Sequence, residues 1–269
     1  MEKLPANTGW HWIKQGFGLF RKQPGALSAL FVSYMFFMLI IGILPVLGQV
    51  LPVIMVPVFS MAFMQACLHI ERSKAVFPTL LLTGFRKPVF PKLFGLGLLY
   101  LLVATIAVGA SALVDGGIFW QLITGQIDGQ SELIGDSNMG GAMLLAIAIY
   151  IPAAMAFCFA APLIGWQKLS IGKAIFFSFF AVLRSAKAFV VFACAWFALS
   201  VVGSQIVMLL FGRSETAMMV MLPLSAMLTL VMHCSFYASY RQIFGAPQDP
   251  ANKDEANKDD KPSLDKPEL

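Results

Sequence analysis

A chain of 269 residues, of which 58% are hydrophobic and only 12% charged, with a mean hydropathy of +0.78, cannot be a soluble globular protein. Soluble domains carry roughly 25% charged residues, and this chain has too few polar side chains to cover its apolar surface, so lipid must be part of its solvent. Its net charge of +5 therefore does not point to nucleic acid, because in a membrane protein Lys and Arg report which side of the bilayer a loop occupies.

The chain opens with mixed-polarity residues up to about 24. The apolar run that follows is too long for a signal-peptide core and has no small-residue cleavage site after it, so the first span is expected to stay in the protein. Crossing a hydrocarbon core of roughly 30 Å takes about 20 apolar residues. Six segments qualify: about 25–47, 50–70, 93–114, 141–165, 187–211 and 217–239. Pro45, Gly48 and Pro52 supply the breakers for a tight turn between the first two. The connection 115–140 is glycine-rich and carries Asp115, Asp128, Glu132 and Asp136 without a Lys or Arg; its stretch 118–123 is too short to span. These carboxylates lack an EF-hand spacing, and an ordinary solvated loop is the plainer reading. From 246 to 269 the chain is polar and proline-bearing, with a near-duplicate ANKDE/ANKDD, and is expected to be a disordered tail. The domain expected is thus a six-span unit, 1–245, with that tail attached.

Of the 19 basic residues only Arg213 falls outside the N-terminal segment, the second-to-third and fourth-to-fifth connections and the C-terminal end. So strong a bias predicts that both termini lie in the cytoplasm and that the number of spans is even. The stretches 9–34, 79–100 and 170–196 share a layout: an amphipathic segment, a basic elbow, then an odd-numbered span. The elbows are Phe20-Arg21-Lys22 with Pro24, Phe85-Arg86-Lys87 with Pro88, and Leu183-Arg184 with Lys187, and each following even-numbered span carries an early proline, Pro57, Pro152 or Pro223. The layout predicts cytoplasmic interfacial helices with a Trp or Phe face in the headgroups. It makes Arg21, Lys22, Arg86, Lys87, Arg184 and Lys187 candidate contacts for anionic lipid headgroups. Either parallel duplication or shared membrane-entering chemistry accounts for the threefold pattern. Ser170 is placed to cap the third amphipathic helix.

The residues Trp12-Ile13, Gly16, Leu19 through Lys22 and Pro24, with Ala161-Pro162-Leu163-Ile164, Leu169-Ser170, Lys173-Ala174, Phe177-Ser178-Phe179 and Arg184, resemble signatures of uncharacterised bacterial six-span inner-membrane proteins. That group includes relatives of the membrane domain found beside glycerophosphodiester phosphodiesterases. The resemblance covers roughly 8–245 and implies a bacterial inner-membrane helix bundle. It implies no activity, since the catalytic phosphodiesterase domain has no counterpart here.

Chemistry is sparse. No Asp, Glu, Lys or Arg lies deep in an expected span, which argues against a proton relay, a voltage sensor or a carboxylate cation path. There is no HExxH, GxSxG, P-loop or other enzyme motif, so no catalytic, cofactor or metal set is expected. Cys67, Cys158, Cys194 and Cys234 all lie in apolar stretches and are expected to pack as small apolar side chains. His69, His233, Cys67 and Cys234 would meet if the second and sixth spans pack together, although helix-end histidines bonded to neighbours are the plainer reading. Gln65, His69, Gln205 and His233 are the candidate interior polar residues, and alanines at i, i+4 predict the fourth span as a close-packed central helix. Pro152 and Pro162 are placed to bend it. The expectation is a non-enzymatic membrane protein acting through lipid or membrane-partner contacts. The alternatives are a transporter of a lipid-like or small uncharged or zwitterionic solute and, more remotely, a membrane enzyme.

Overall fold

The computed structural model describes residues 4–45, 47–128, 138–212 and 214–247. Arg213, the loop residues Glu132 and Asp136, and the expected tail lie outside them, apart from its first two residues. The described residues form helices and no strand. In chain order these are α1 (Thr8–Lys22), α2 (Pro24–Gly42), α3 (Leu47–Glu71), a 3-10 segment (Pro78–Phe85), α4 (Val89–Asp115), α5 (Ile118–Ile123), α6 (Met139–Phe157), α7 (Ala160–Gln167), α8 (Ile171–Arg184), α9 (Ala186–Phe211) and α10 (Glu215–Phe244). With α6 and α7 taken together as Met139–Gln167, six of these elements are long and apolar enough to cross a membrane. They fall where hydropathy placed them, so the fold is an all-α polytopic bundle.

Helix ends follow local chemistry. Pro24 opens α2, where its missing N–H costs nothing. The Asn138 side chain accepts from Gly141 N at 3.2 Å, and Ser214 Oγ from Ala217 N at 3.3 Å, capping α6 and α10. Asp115 takes Gly117 N at 2.9 Å and Phe119 N at 2.7 Å, so its carboxylate caps α5. Ser170 does hold the N-cap position of α8, but its hydroxyl makes no capping bond.

The central helix is α3. Its inner stretch is buried nearly without interruption from Ile54 to Ile70, whereas α6 buries only Ala142, Ala146 and Phe157. The expectation of a central fourth span is corrected for α6, which leaves much of its length exposed, although Ala142, Ala146, Ala160 and Ala161 are buried as a close-packed stripe and α7 is buried from Ala160 to Ile164. Approach to α3 is close: a Cβ added at Gly97 on α4 would fall on the carbonyl oxygen of Ile54.

The fourth span is broken at Cys158–Phe159. Pro162 cannot donate to the carbonyl four residues before it, and the ladder opens there. Ser178 of α8 fills the gap. Its hydroxyl donates to Met155 O at 2.9 Å and accepts from Phe159 N at 2.9 Å, standing in for the helical bond those two groups would otherwise share. At the end of α7, Lys92 Nζ reaches the carbonyls of Lys168 and Leu169 at 3.3 and 3.4 Å and satisfies C-terminal acceptors.

The three amphipathic elements differ in what they cover. In α1 the Trp12–Ile13 face packs on protein, both residues being fully buried against α9 and α10, while Trp10 remains exposed beside Lys14. The Trp12 ring lies 5.1 Å from that of Phe189, its Nε1 donates to Gln242 Oε1 at 2.6 Å, and a Cβ at Gly16 would strike Ser235. Periodicity cannot distinguish a helix lying on lipid from one lying on protein. Helix α8 does turn Phe176, Phe177 and Phe180 outward. The middle element is a 3-10 segment begun by Pro78 and followed by Pro88.

Candidate functional site

Inside the bundle lies a chamber of about 510 Å³. All six spans line it: Phe31 and Tyr34 from α2, Phe59, Ser60 and Phe63 from α3, Tyr100 from α4, Tyr150 and Phe157 from the fourth span, Phe189 from α9, and Thr229, His233 and Phe236 from α10. Its walls are aromatic and locked edge to face. The Tyr34 ring sits 5.1 Å from Phe59 and 5.6 Å from Phe63, and Phe63 lies 4.7 Å from the His233 imidazole. No charged residue lines it. Val56, Tyr150 and Ile151, each roughly half exposed at 43, 48 and 53%, carry the chamber to the outer surface of the spans.

Three of its polar side chains are already engaged. Tyr100 Oη donates to Phe157 O at 3.1 Å, and Thr229 Oγ1 to Ser225 O at 2.8 Å. His233 Nδ1 is 2.9 Å from Thr229 O; since a carbonyl only accepts, Nδ1 carries the hydrogen and Nε2 is left with its lone pair. The chamber therefore offers a large apolar surface with an acceptor at His233 and a few hydroxyls, those of Tyr34, Ser60 and Tyr150 among them. It can hold an apolar molecule that carries a small polar group; it has no charge with which to hold an ion.

Of the four candidate interior polar residues, only His233 lines this space. Gln65 is buried but spent structurally, accepting from Trp166 Nε1 at 2.9 Å and tying α3 to α7. His69 turns to the Ala75 carbonyl, 3.4 Å from Nδ1. Gln205 is exposed, which corrects its assignment to the interior. It stands two positions, about 200° of helix rotation, from Val207, the buried position nearest to it on α9.

Spans two and six do pack together, and Cys67 Sγ lies 3.6 Å from Cys234 Sγ, both buried. The histidines do not join them, and among the described residues no group of three or more His, Cys, Asp or Glu is placed to hold a metal. Just beyond the thiols, Glu71 takes a hydrogen bond from Tyr237 and an ion pair from Arg241. All six elbow residues proposed for headgroups, Arg21, Lys22, Arg86, Lys87, Arg184 and Lys187, are exposed, and among the described residues none is in an ion pair.

Sequence reasoning missed the aromatic wall. Its signal is present as Phe59 and Phe63 at i, i+4 on α3, but that spacing equally describes core packing, and cross-helix convergence with Tyr34 and His233 has no linear trace.

The chain is 36% identical, over 267 aligned positions, to a protein of Burkholderia thailandensis described as a probable inner membrane protein; the match covers 93% of this chain and 96% of that relative. No family model matches the chain, and no solved structure matches it.

Proposed function

Because the chain belongs to the family of that probable inner membrane protein, we propose that this multi-pass inner-membrane protein is non-enzymatic and works by holding a lipid-like molecule in its intramembrane chamber. The observation that carries this reading is the chamber itself: about 510 Å³, contributed by all six spans, uncharged and open beside Tyr150 and Ile151. Small-molecule sites fall in the range of roughly 300–1,000 Å³ and combine apolar walls with few polar groups.

The same proposal puts the basic elbows and both termini at the cytoplasmic face, where positive charge accumulates and where exposed Arg21, Lys22, Arg86, Lys87, Arg184 and Lys187 meet anionic headgroups. Kinship with the membrane domain beside glycerophosphodiester phosphodiesterases belongs to this reading too, without any phosphodiester chemistry. Transport is the second reading, favoured by the opening past Val56 and Ile151. An apolar cargo suits it better than a zwitterionic one, since Gln65 and Gln205 are absent from the lining.

The test is to purify the protein into lipid nanodiscs, extract what it retains, and compare wild type with Ala154→Trp, which places an indole in the chamber from a lining position. The expected result is a retained lipid-like molecule that the variant loses while its helicity and thermal stability are kept. Equal retention by both proteins, or none by wild type, sinks the proposal.

A further inference from the structure

A second, separate cavity of about 270 Å³ lies between α9 and α10. Its polar inventory is unusual for the middle of a bilayer. Trp196 is only 8% exposed, and its Nε1–H finds no acceptor among the described residues. It stands ten positions into α9 from Ala186, roughly 15 Å of helix and so near the centre of a core of roughly 30 Å. At that depth an unpaired donor is costly, because hydrocarbon offers no acceptor.

The hydroxyls facing the same cleft have complementary chemistry. Ser204 Oγ donates to Val201 O at 2.9 Å, Ser225 Oγ to Leu222 O at 2.8 Å and Thr229 Oγ1 to Ser225 O at 2.8 Å. Each has spent its hydrogen on its own helix and keeps a lone pair. Met221, Leu224, Leu228 and Met232 make the rest of the wall apolar. The cleft thus presents one buried unused donor at Trp196, the exposed hydroxyl of Ser200, a set of acceptors and an apolar pocket. A group that completes both halves must accept from the indole and donate to a hydroxyl oxygen. A ketone or an ester carbonyl does only the first, and an alkyl chain does neither. Charged headgroups are excluded, since no ionised residue lines the cleft.

We propose that this cleft is a binding site for a neutral, alcohol-bearing apolar molecule, whose hydroxyl accepts from Trp196 Nε1 and donates to the Ser and Thr oxygens. The volume takes about nine groups of roughly 30 Å³ each, the size of a medium-chain alcohol or of the hydroxyl end of a longer one. Thr229 and Met232 border both cavities, so the site adjoins the chamber without depending on what the chamber holds.

The experiment uses the full chain in nanodiscs with ¹⁵N-labelled indoles, the Trp196 signal being assigned by its loss in Trp196→Phe. The probes are 1-octanol, 2-octanone and octane. 1-Octanol is expected to move the Trp196 signal saturably and leave the other four of the five tryptophans in place. 2-Octanone should need roughly fivefold more for the same shift, the worth of one hydrogen bond, and octane should have no effect. Ser204→Ala combined with Ser225→Ala should reduce the advantage of the alcohol over the ketone. Ala154→Trp should leave all of this unchanged, so failure here and failure of the chamber reading are separable. Equal shifts with alcohol and alkane overturn the proposal, as does a Trp196 N–H that exchanges with water and is not displaced by octanol.

Discussion

At the elbow-bearing end of the bundle, Glu71 joins Tyr237 and Arg241, α1 closes over α9 and α10 with Trp12 fully buried, and Gln23 spans from α1 to the Lys74 carbonyl at 3.0 Å. Along the spans the helices show their apolar side chains instead, with Leu113 and Leu209 each 87% exposed. The two regions differ because their solvents differ. Where water reaches the protein, burying apolar surface contributes about 25 cal/mol per Å², so helices close on one another. Within lipid that term vanishes, and only close packing and hydrogen bonds hold spans together. Both cavities occupy the territory where closure has no solvent to drive it.

This contrast can be broken or sharpened by substitution. The largest effect is expected for Gly97→Leu, whose side chain meets the Ile54 carbonyl. It should cost about 3 kcal/mol or more and lower the melting temperature in detergent sharply. Gly109 lies further along the same helix with nothing within 4 Å, and Gly109→Leu should change stability by less than about 1 kcal/mol; equal tolerance of the two would end the comparison. Next, Glu71→Gln should cost about 2 kcal/mol, with the Arg241 share small because that side chain is 44% exposed; a double-mutant cycle on thermal unfolding measures it. Ser178→Ala removes the hydroxyl that bridges Met155 and Phe159 and should cost about 1–2 kcal/mol, read as faster amide exchange at Phe159. The smallest effect per residue belongs to the elbows. Neutralising Arg21, Lys22, Arg86, Lys87 and Arg184 should weaken anionic-lipid retention by roughly 1 kcal/mol per charge, measured by mass spectrometry of lipid-bound protein. Unchanged retention removes the headgroup role.

Hydropathy made the six spans legible, because a segment must be apolar for its whole length to cross lipid, and Pro162 made the bend in the fourth span legible. What filled the bend was not. Nothing in Ser178 announces that its hydroxyl completes another helix's ladder. The alanine stripe marked close packing but not the centre of the bundle, which is α3, and the Trp12–Ile13 face of α1 was read as lipid-facing when it faces protein, since both surfaces ask for the same side chains. The meeting of Cys67 with Cys234 could be anticipated as conditional on two spans packing, while the divergence of His69 and His233 depended on carbonyls that only the folded backbone presents. The sequence carries Ser200, Ser204 and Thr229 as polar residues within the spans. Trp196, at i−4 and i−8 to those serines on α9, was the overlooked member of the stripe.

The Trp12–Gln242 bond joins residues 230 positions apart, and this has a consequence for how the protein is made. At about 5–20 residues per second, translation takes roughly 10–50 seconds to travel that far. Throughout that interval α1 has been synthesised but the surface that receives it is incomplete. Its aromatic face must be sheltered meanwhile, and the bilayer interface is the shelter its periodicity suits.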